Sequence, residues 1–369
     1  MKVFAVEDTT AQVVWRHQPA GGLLRAAGAV AEVGEGAGAV VLENLPPATS
    51  LDLVLEPAGG PPRRVGRFRT LAPPPGPELV RVATVNDCHV GGEGFGLLPG
   101  ASHPDGRFPL DTHERCLGAA VAEAVAWGAE LLVVKGDLTD AGKRSQWQTA
   151  ARVLGGAGVP VVVVPGNHDV MAGSGDGHAV LAGAGVRLTV GDAEAYDLPG
   201  LRVIATDSTR PPHHNGTMDG LSDRVLTLAG EAPGAVMVAL HHQLERFGVR
   251  THWPPGIPRR QAAPFLDRLA AVNPAALVAA GHTHRHRRRT HGPVVLTELG
   301  SSKDFPGTWA GYAVHEGGIR QVVRRIADPA VLGWTDATRH CYLGLWGPWS
   351  AGTLGARCFS HTWPPRPAR

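Results

Sequence analysis

Cysteine is scarce: four in 369 residues, at positions 88, 116, 341 and 358, with no two in a CxxC pair. That density excludes a disulfide framework, and no thiolate set of zinc-finger spacing exists. An excess of one charge is also missing, since 35 Lys+Arg stand against 33 Asp+Glu for a net charge of +2. Such a balance does not advertise a nucleic-acid or anionic-membrane partner. No uncharged apolar stretch is long enough to span a bilayer. The start turns acidic at Glu7-Asp8 before any apolar signal segment develops, so a soluble, cytoplasmic protein is the expectation. Gly 49 and Pro 31 are numerous, yet they punctuate apolar runs and form no low-complexity tract. What the chain does have is 18 histidines.

The length suits one large domain and a small one. Residues 11–16, 40–42, 51–55 and 67–71 are short β-favouring runs separated by Gly21-Gly22, Pro46-Pro47 and Gly59-Gly60-Pro61-Pro62. Leu45-Pro46-Pro47-Ala48-Thr49-Ser50-Leu51, followed by Phe68-Arg69-Thr70, resembles the corner and last strand of a fibronectin type III-like sandwich. This resemblance implies a small all-β (fibronectin/Ig-like) unit over residues 1–72. Residues 73–78, with Pro73-Pro74-Pro75, read as a stiff linker. From 79 to 328 the texture changes to apolar strands at 79–85, 131–134, 160–164, 201–205, 235–240 and 276–280. Helices are predicted over 112–127 and 145–154, and a strand meander over 294–323. Residues 329–369, carrying Trp334, Trp346, Trp349 and Trp363, are expected to pack on the catalytic domain.

Five of the apolar runs end in metal-type donors: Asp87-Cys88-His89, Gly136-Asp137, Gly166-Asn167-His168-Asp169, His241-His242 and Gly281-His282-Thr283-His284. In α/β sheets the C-terminal strand ends converge on one crevice. Six or seven oxygen and nitrogen donors without a thiolate suit Zn, Mn or Fe. If the donor segments are extended, alternation aims Asp87 with His89, and His282 with His284, into one pocket. The same rule admits only one of His241 and His242, and turns Cys88 inward as an inert thiol.

These five blocks, in this order, resemble the calcineurin-like metallophosphoesterases over roughly residues 80–300, and most closely their bacterial cyclic-nucleotide and glycerophosphodiester phosphodiesterase branch. The resemblance implies an α/β fold, a four-layer α/β/β/α sandwich with two divalent metal ions (Mn, Fe or Zn) at its centre. Asp87, His89 and His284 would bind the first ion and Asn167, His241 and His282 the second, with Asp137 bridging both. A carboxylate bridge offsets the repulsion of two dications. The pair would clamp a phosphoryl group and turn a bridging water into hydroxide for in-line attack. His168 would stabilise charge and protonate the leaving oxygen, while Asp140 would hydrogen-bond it and set its tautomer. Asp169 reads as a loop-shaping residue.

The function implied is hydrolysis of phosphodiesters, 3′,5′-cyclic nucleotides among them, with a small phosphoester as partner. Rivals are a phosphomonoesterase of the same fold and a non-catalytic protein-binding scaffold. Asp140 stands where purple acid phosphatases need a tyrosine, and Ala141-Gly142 replaces the Asp-Arg-Gly continuation of protein phosphatases. A nuclease is disfavoured by the near-neutral charge. Arg285-His286-Arg287-Arg288-Arg289 reads equally well as a substrate-steering patch or a solvated basic loop. Loops 91–111 and 207–221 would set specificity, and the N-terminal unit suggests a partner- or homo-oligomer-forming role.

Overall fold

The computed structural model describes residues 1–92, 94–95, 111–171, 175–249 and 252–364. Two large sheets face each other. One has seven strands in the order Arg187–Leu188, Val161–Val164, Leu131–Lys135, Glu78–Val85, Thr308–His315, Gly318–Arg325 and Phe359–Thr362. Its first four strands are parallel and the rest antiparallel. The other has six, in the order Ala193–Leu198, Leu201–Thr206, Ala235–Ala239, Ala276–Ala280, Val294–Glu298 and Arg287–His291.

The valine-rich runs explain the layering. Strand side chains alternate between faces, so Val80, Val82, Leu131 and Val133 meet Val203, Met237 and Leu277 in a dry layer between the sheets. Ala83, Val85, Leu132 and Val134 face outward and are covered by helices Thr112–Ala126 and Arg144–Gly155. Val236, Val238 and Val278 are covered in the same way by helices Ser222–Gly230 and Arg259–Val272. The result is the four-layer α/β/β/α sandwich expected.

Residues 1–69 form two further antiparallel sheets, of three strands (Lys2–Val6, Ala11–Gln18, Gly36–Leu42) and four (Ala29–Val33, Gly22–Ala26, Ser50–Pro57, Arg63–Arg69). Their apolar residues do not close on themselves alone. Phe4 and Trp15 belong to one continuous buried cluster with Trp127, Trp309 and Trp334. The seam is also ionic: buried Glu7 takes Arg324 and, at 3.3 Å, Arg320. Residues 73–77 are laid against a hairpin turn, with the Gly317 amide donating to the Pro75 carbonyl at 2.9 Å.

The basic run after the last donor block is no solvated loop. Arg287–His291 is an edge strand, where charged side chains discourage further pairing. Arg285 pairs with Glu298 at 3.4 Å and Arg289 donates to the Leu244 carbonyl. Among the described residues no helix is long and apolar enough to cross a membrane.

Candidate metal centre

The donors sit where strands end, and the backbone there is not extended. Asp87, His89, Asp137, His282 and His284 all take left-handed φ, between 46° and 67°. Such values are uncommon for non-glycine residues and collect at functional sites. This corrects the alternation argument: the paired donors share one pocket because the chain coils at both, not because it runs straight. Strand ends also crowd each other. A Cβ on Gly136 would lie 2.4 Å from the His241 ring, and one on Gly166 would lie 2.2 Å from the Asp137 carboxylate. Glycine at these two positions lets one strand's donor pass over the next.

Seven predicted donors gather in one buried cup. His284 Nε2 lies 3.2 Å from Asp87 Oδ1 and 3.3 Å from His89 Nε2, which is 3.7 Å from Asp137 Oδ2. On the other side of Asp137, the same Oδ2 is 3.3 Å from His241 Nε2, itself 3.2 Å from His282 Nδ1. Donors at about 2.0–2.2 Å from one cation lie roughly 3.0–3.5 Å from each other, so these spacings fit shared cations. Asn167 Oδ1 is buried with no partner, an acceptor that a cation would satisfy. The donor set therefore fits divalent metal on both sides of Asp137.

The remote nitrogens of three donor histidines are hydrogen-bonded. His241 Nδ1 meets the Lys135 carbonyl at 3.0 Å, His282 Nε2 the Pro254 carbonyl at 3.0 Å, and His284 Nδ1 the Asp304 carboxylate at 2.7 Å. A carbonyl only accepts, so the facing nitrogen of His241 and of His282 carries a hydrogen, and the inner nitrogen is the one that would offer a lone pair to a cation. Asp87 is steadied from below by a polar chain. Buried Lys135 donates to Asn86 Oδ1 at 2.9 Å, and Asn86 Nδ2 donates to Asp87 Oδ2 at 2.5 Å.

Electrostatics follow from this crowding. Burial alone would lower His284, but Asp87 and Asp304 outweigh it and push its pKa up to about 10. His241 rises to about 9 against burial, through Asp137. Burial and then His241 drop His282 to about 3. Burial would raise the Asp137 carboxyl, yet His241 and His168 hold it well below the carboxylate range. Protons on His284 and His241 thus neutralise the same carboxylates that cations would.

His168 lines the same cleft, its ring edge-on to His89 at 4.5 Å between centroids. Its Nδ1 is held at 2.7 Å by the backbone carbonyl of Asp140. The expected hydrogen bond from Asp140 is therefore made by the main chain. The Asp140 carboxylate instead lies 3.5 Å from His89 Nδ1. Asp169 clamps the loops, accepting from Thr139 N and Oγ1 at 2.7 Å and from Gly166 N at 2.9 Å. Cys88 is buried, and burial carries its thiol to about 12.

Sequence reasoning missed several groups. His242, expected to face away, has an inner nitrogen within 4.8 Å of those of His241 and His282. Its Nδ1 meets Ser208 Oγ at 2.9 Å, while Nε2 is buried without a partner. Asp304 was overlooked: it lies well past the end of the strand Val294–Glu298, and only its contact with His284 reveals it. Tyr342, Trp346 and Trp253 also line the cleft, and nothing local announced Tyr342. Of the two predicted specificity loops, 207–221 is described, whereas residues 93 and 96–110 of the other lie outside the described residues.

Comparison with known proteins identifies a family. The family model described as calcineurin-like phosphoesterase matches residues 80–286. A probable cyclic nucleotide phosphodiesterase of Rhodococcus erythropolis is 35% identical over 198 residues, covering 48% of this chain and 60% of that protein. One of Synechococcus sp. is 26% identical over 157 residues, covering 42% and 58%. The chain thus spans about three fifths of the length of these curated relatives. Among solved structures, a purple acid phosphatase from yellow lupin (Lupinus luteus) seeds aligns with a TM-score of 0.49 at 12% identity, over 88% of this chain and 72% of that one. PhoD aligns with a TM-score of 0.46 at 9% identity, over 89% and 87%. With more than half its length matched by the family model and the donor blocks inside or adjoining that span, the chain belongs to the calcineurin-like phosphoesterase family.

Proposed function

We propose that this chain is a binuclear, metal-dependent phosphodiesterase acting on small phosphodiesters, 3′,5′-cyclic nucleotides among them. The observation that carries the reading is a pair of donor sets that meet at one carboxylate. Asp87, His89 and His284 group on one side and His241 and His282 on the other, with Asp137 within reach of both. Asp87, His89 and His284 would hold one divalent ion, Asn167, His241 and His282 the other, and Asp137 would serve both. When bound, two such ions supply Lewis-acid charge to phosphoryl oxygens and acidify water.

The remaining work belongs to side chains. His168, with Nδ1 fixed on the Asp140 carbonyl, keeps Nε2 for a proton delivered to the leaving oxygen. Asp140 is a positioning residue in this scheme. Asp304 orients His284, and the Lys135–Asn86 pair orients Asp87. The names of the two relatives, probable cyclic nucleotide phosphodiesterases, support the substrate class. We read residues 1–72 as a fibronectin type III-like unit, 73–78 as its linker, 79–328 as the catalytic domain and 329–369 as an extension upon it. The three- and four-stranded antiparallel sheets support the first of these.

The test is His168→Ala on Mn-loaded protein. It is expected to retain about two ions per chain by elemental analysis. Turnover should fall by roughly 10²–10⁴ on a diester with a poor leaving group, and less on a p-nitrophenyl ester. Full activity on the poor leaving group would remove the acid role. A rate on phosphomonoesters above that on 3′,5′-cyclic AMP would remove the diester preference.

A further inference from the structure

Part of the rim of the cleft, Tyr342 and Trp346, comes from beyond the segment that matches the family. Phe95, Tyr342 and Trp346 line the same cavity as His284 and Asp137, and Trp253 with Pro254 lines it from a second loop. The three rings brace one another, with centroids 5.6 Å apart for Phe95–Tyr342, 5.0 Å for Phe95–Trp346 and 5.9 Å for Tyr342–Trp346. Trp346 also stands 6.3 Å from the His284 ring. Rigid rings of this kind offer contact area with little entropy to lose on binding.

This rim is tied to the donor loops themselves. Arg285, the residue after His284, lays its guanidinium 4.1 Å from the Trp349 ring centre. The next amide, His286 N, donates to the Ser350 carbonyl at 3.0 Å. On the Asp304 loop, the Phe305 amide donates to Thr338 Oγ1 at 2.8 Å, and Trp334 Nε1 donates to the Lys303 carbonyl. Residues 334–350 are thus pinned at four points to the loops that carry or orient a donor. Tyr342 remains 45% exposed and Trp253 68% exposed, so apolar ring surface is open beside a polar floor.

The geometry points to a specificity subsite: Tyr342 and Trp346, in the cavity that Trp253 also lines, receive a planar aromatic group carried by the phosphate ester, as in a nucleoside phosphate. This inference rests on the phosphodiesterase reading only for where the phosphate sits, at the donor floor. A planar ring entering a cleft lined by aromatic groups gains stacking surface. A glycerol or ribose group gains none and must shed water against apolar walls.

Calorimetric binding to the full-length, Mn-loaded protein tests this without turnover. Adenosine 5′-monophosphate should bind at least about tenfold tighter than ribose 5-phosphate, the scale of one stacked base. Trp346→Leu and, separately, Tyr342→Leu should each cost roughly tenfold in affinity for the adenylate and leave ribose 5-phosphate within about twofold; Trp346→Phe should recover most of the loss. Equal wild-type affinity for the two ligands overturns the subsite, and so does an equal loss of both in the variants. Octyl phosphate binding as tightly as the adenylate, with the same sensitivity, would make the rim a greasy surface and overturn its preference for planar groups. Tyr342 is the more exposed position, so its variant keeps the test decisive if Trp346→Leu loosens the extension. Adenylate selectivity in a protein that hydrolyses no diester would keep the subsite and defeat the phosphodiesterase reading.

Discussion

The floor and the rim of the cleft are built on opposite plans. The floor is polar, buried and braced: the remote nitrogens of His241, His282 and His284 meet a carbonyl or carboxylate, and Asp87 rests on Asn86 and Lys135. The rim is aromatic and partly open, and comes in part from residues near position 340, far along the chain from the donors it borders. Buried charge is tolerated only with partners on every side, so the floor leaves little room for change. The rim has no such constraint, which makes it the place where substrate preference can be altered without losing metal.

The contrast can be broken most severely at Asp137. Asp137→Ala removes the carboxylate common to both donor sets, and elemental analysis after desalting should find the protein stripped of metal, with no measurable diester turnover. Metal retained at wild-type content would refute the shared role. One step out, Asp304→Asn leaves every donor in place but weakens the hold on His284 Nδ1. Loss of such an outer partner costs roughly 10–100-fold in metal affinity or activity, read by titrating apo-protein with Mn. An unchanged titration would mean that the left-handed backbone alone orients His284.

Glu7 probes the seam far from both. Burial alone would raise its carboxyl, but Arg324 and Arg320 outweigh that and hold it below the ordinary value. A depressed carboxyl stabilises the fold above its unfolded pKa, and the contribution is lost as pH falls through the lower folded value. Glu7→Ala should therefore cost about 3 kcal/mol near neutral pH, the scale for one partner lost from a buried pair. It should flatten the loss of stability below about pH 4.5 and leave turnover at neutral pH unchanged. Thermal unfolding across pH checks this; a variant as acid-sensitive as the parent would free Glu7 of the role. The smallest effect is expected at Cys88, which sits between two donors but is buried, with its thiol pushed to about 12. Cys88→Ala should keep turnover within about twofold and cost roughly 1 kcal/mol of stability; a larger kinetic loss would make the thiol a participant.

Much of the sandwich was readable beforehand. The runs 131–134 and 160–164 are almost pure valine and leucine, and only a strand covered on both faces accepts that composition. Glycine before Asp137, Asn167 and His282 marked the ends of those strands for a physical reason, since at Gly136 and Gly166 a side chain would strike a neighbouring donor. Arg287–His291 was missed because its arginines mimic a solvated loop, and only pairing with Val294–Glu298 makes it a strand. Alternation presumes extended backbone, and past the strand Ala235–Ala239 both His241 and His242 bring a ring nitrogen within 4.8 Å of one on His282.

Donor types and their order are therefore properties of the primary structure: short blocks of Asp, Asn and His, each closing an apolar run, suffice to name the family and its metal chemistry. What only folding decided is direction and company. Left-handed turns at five donors aim the side chains, long-range packing brings Asp304 to His284, and docking of the C-terminal segment sets Trp346 at the mouth. Periodicity is local and survives in a string of letters, whereas a contact between residues far apart along the chain exists only once the layers have closed.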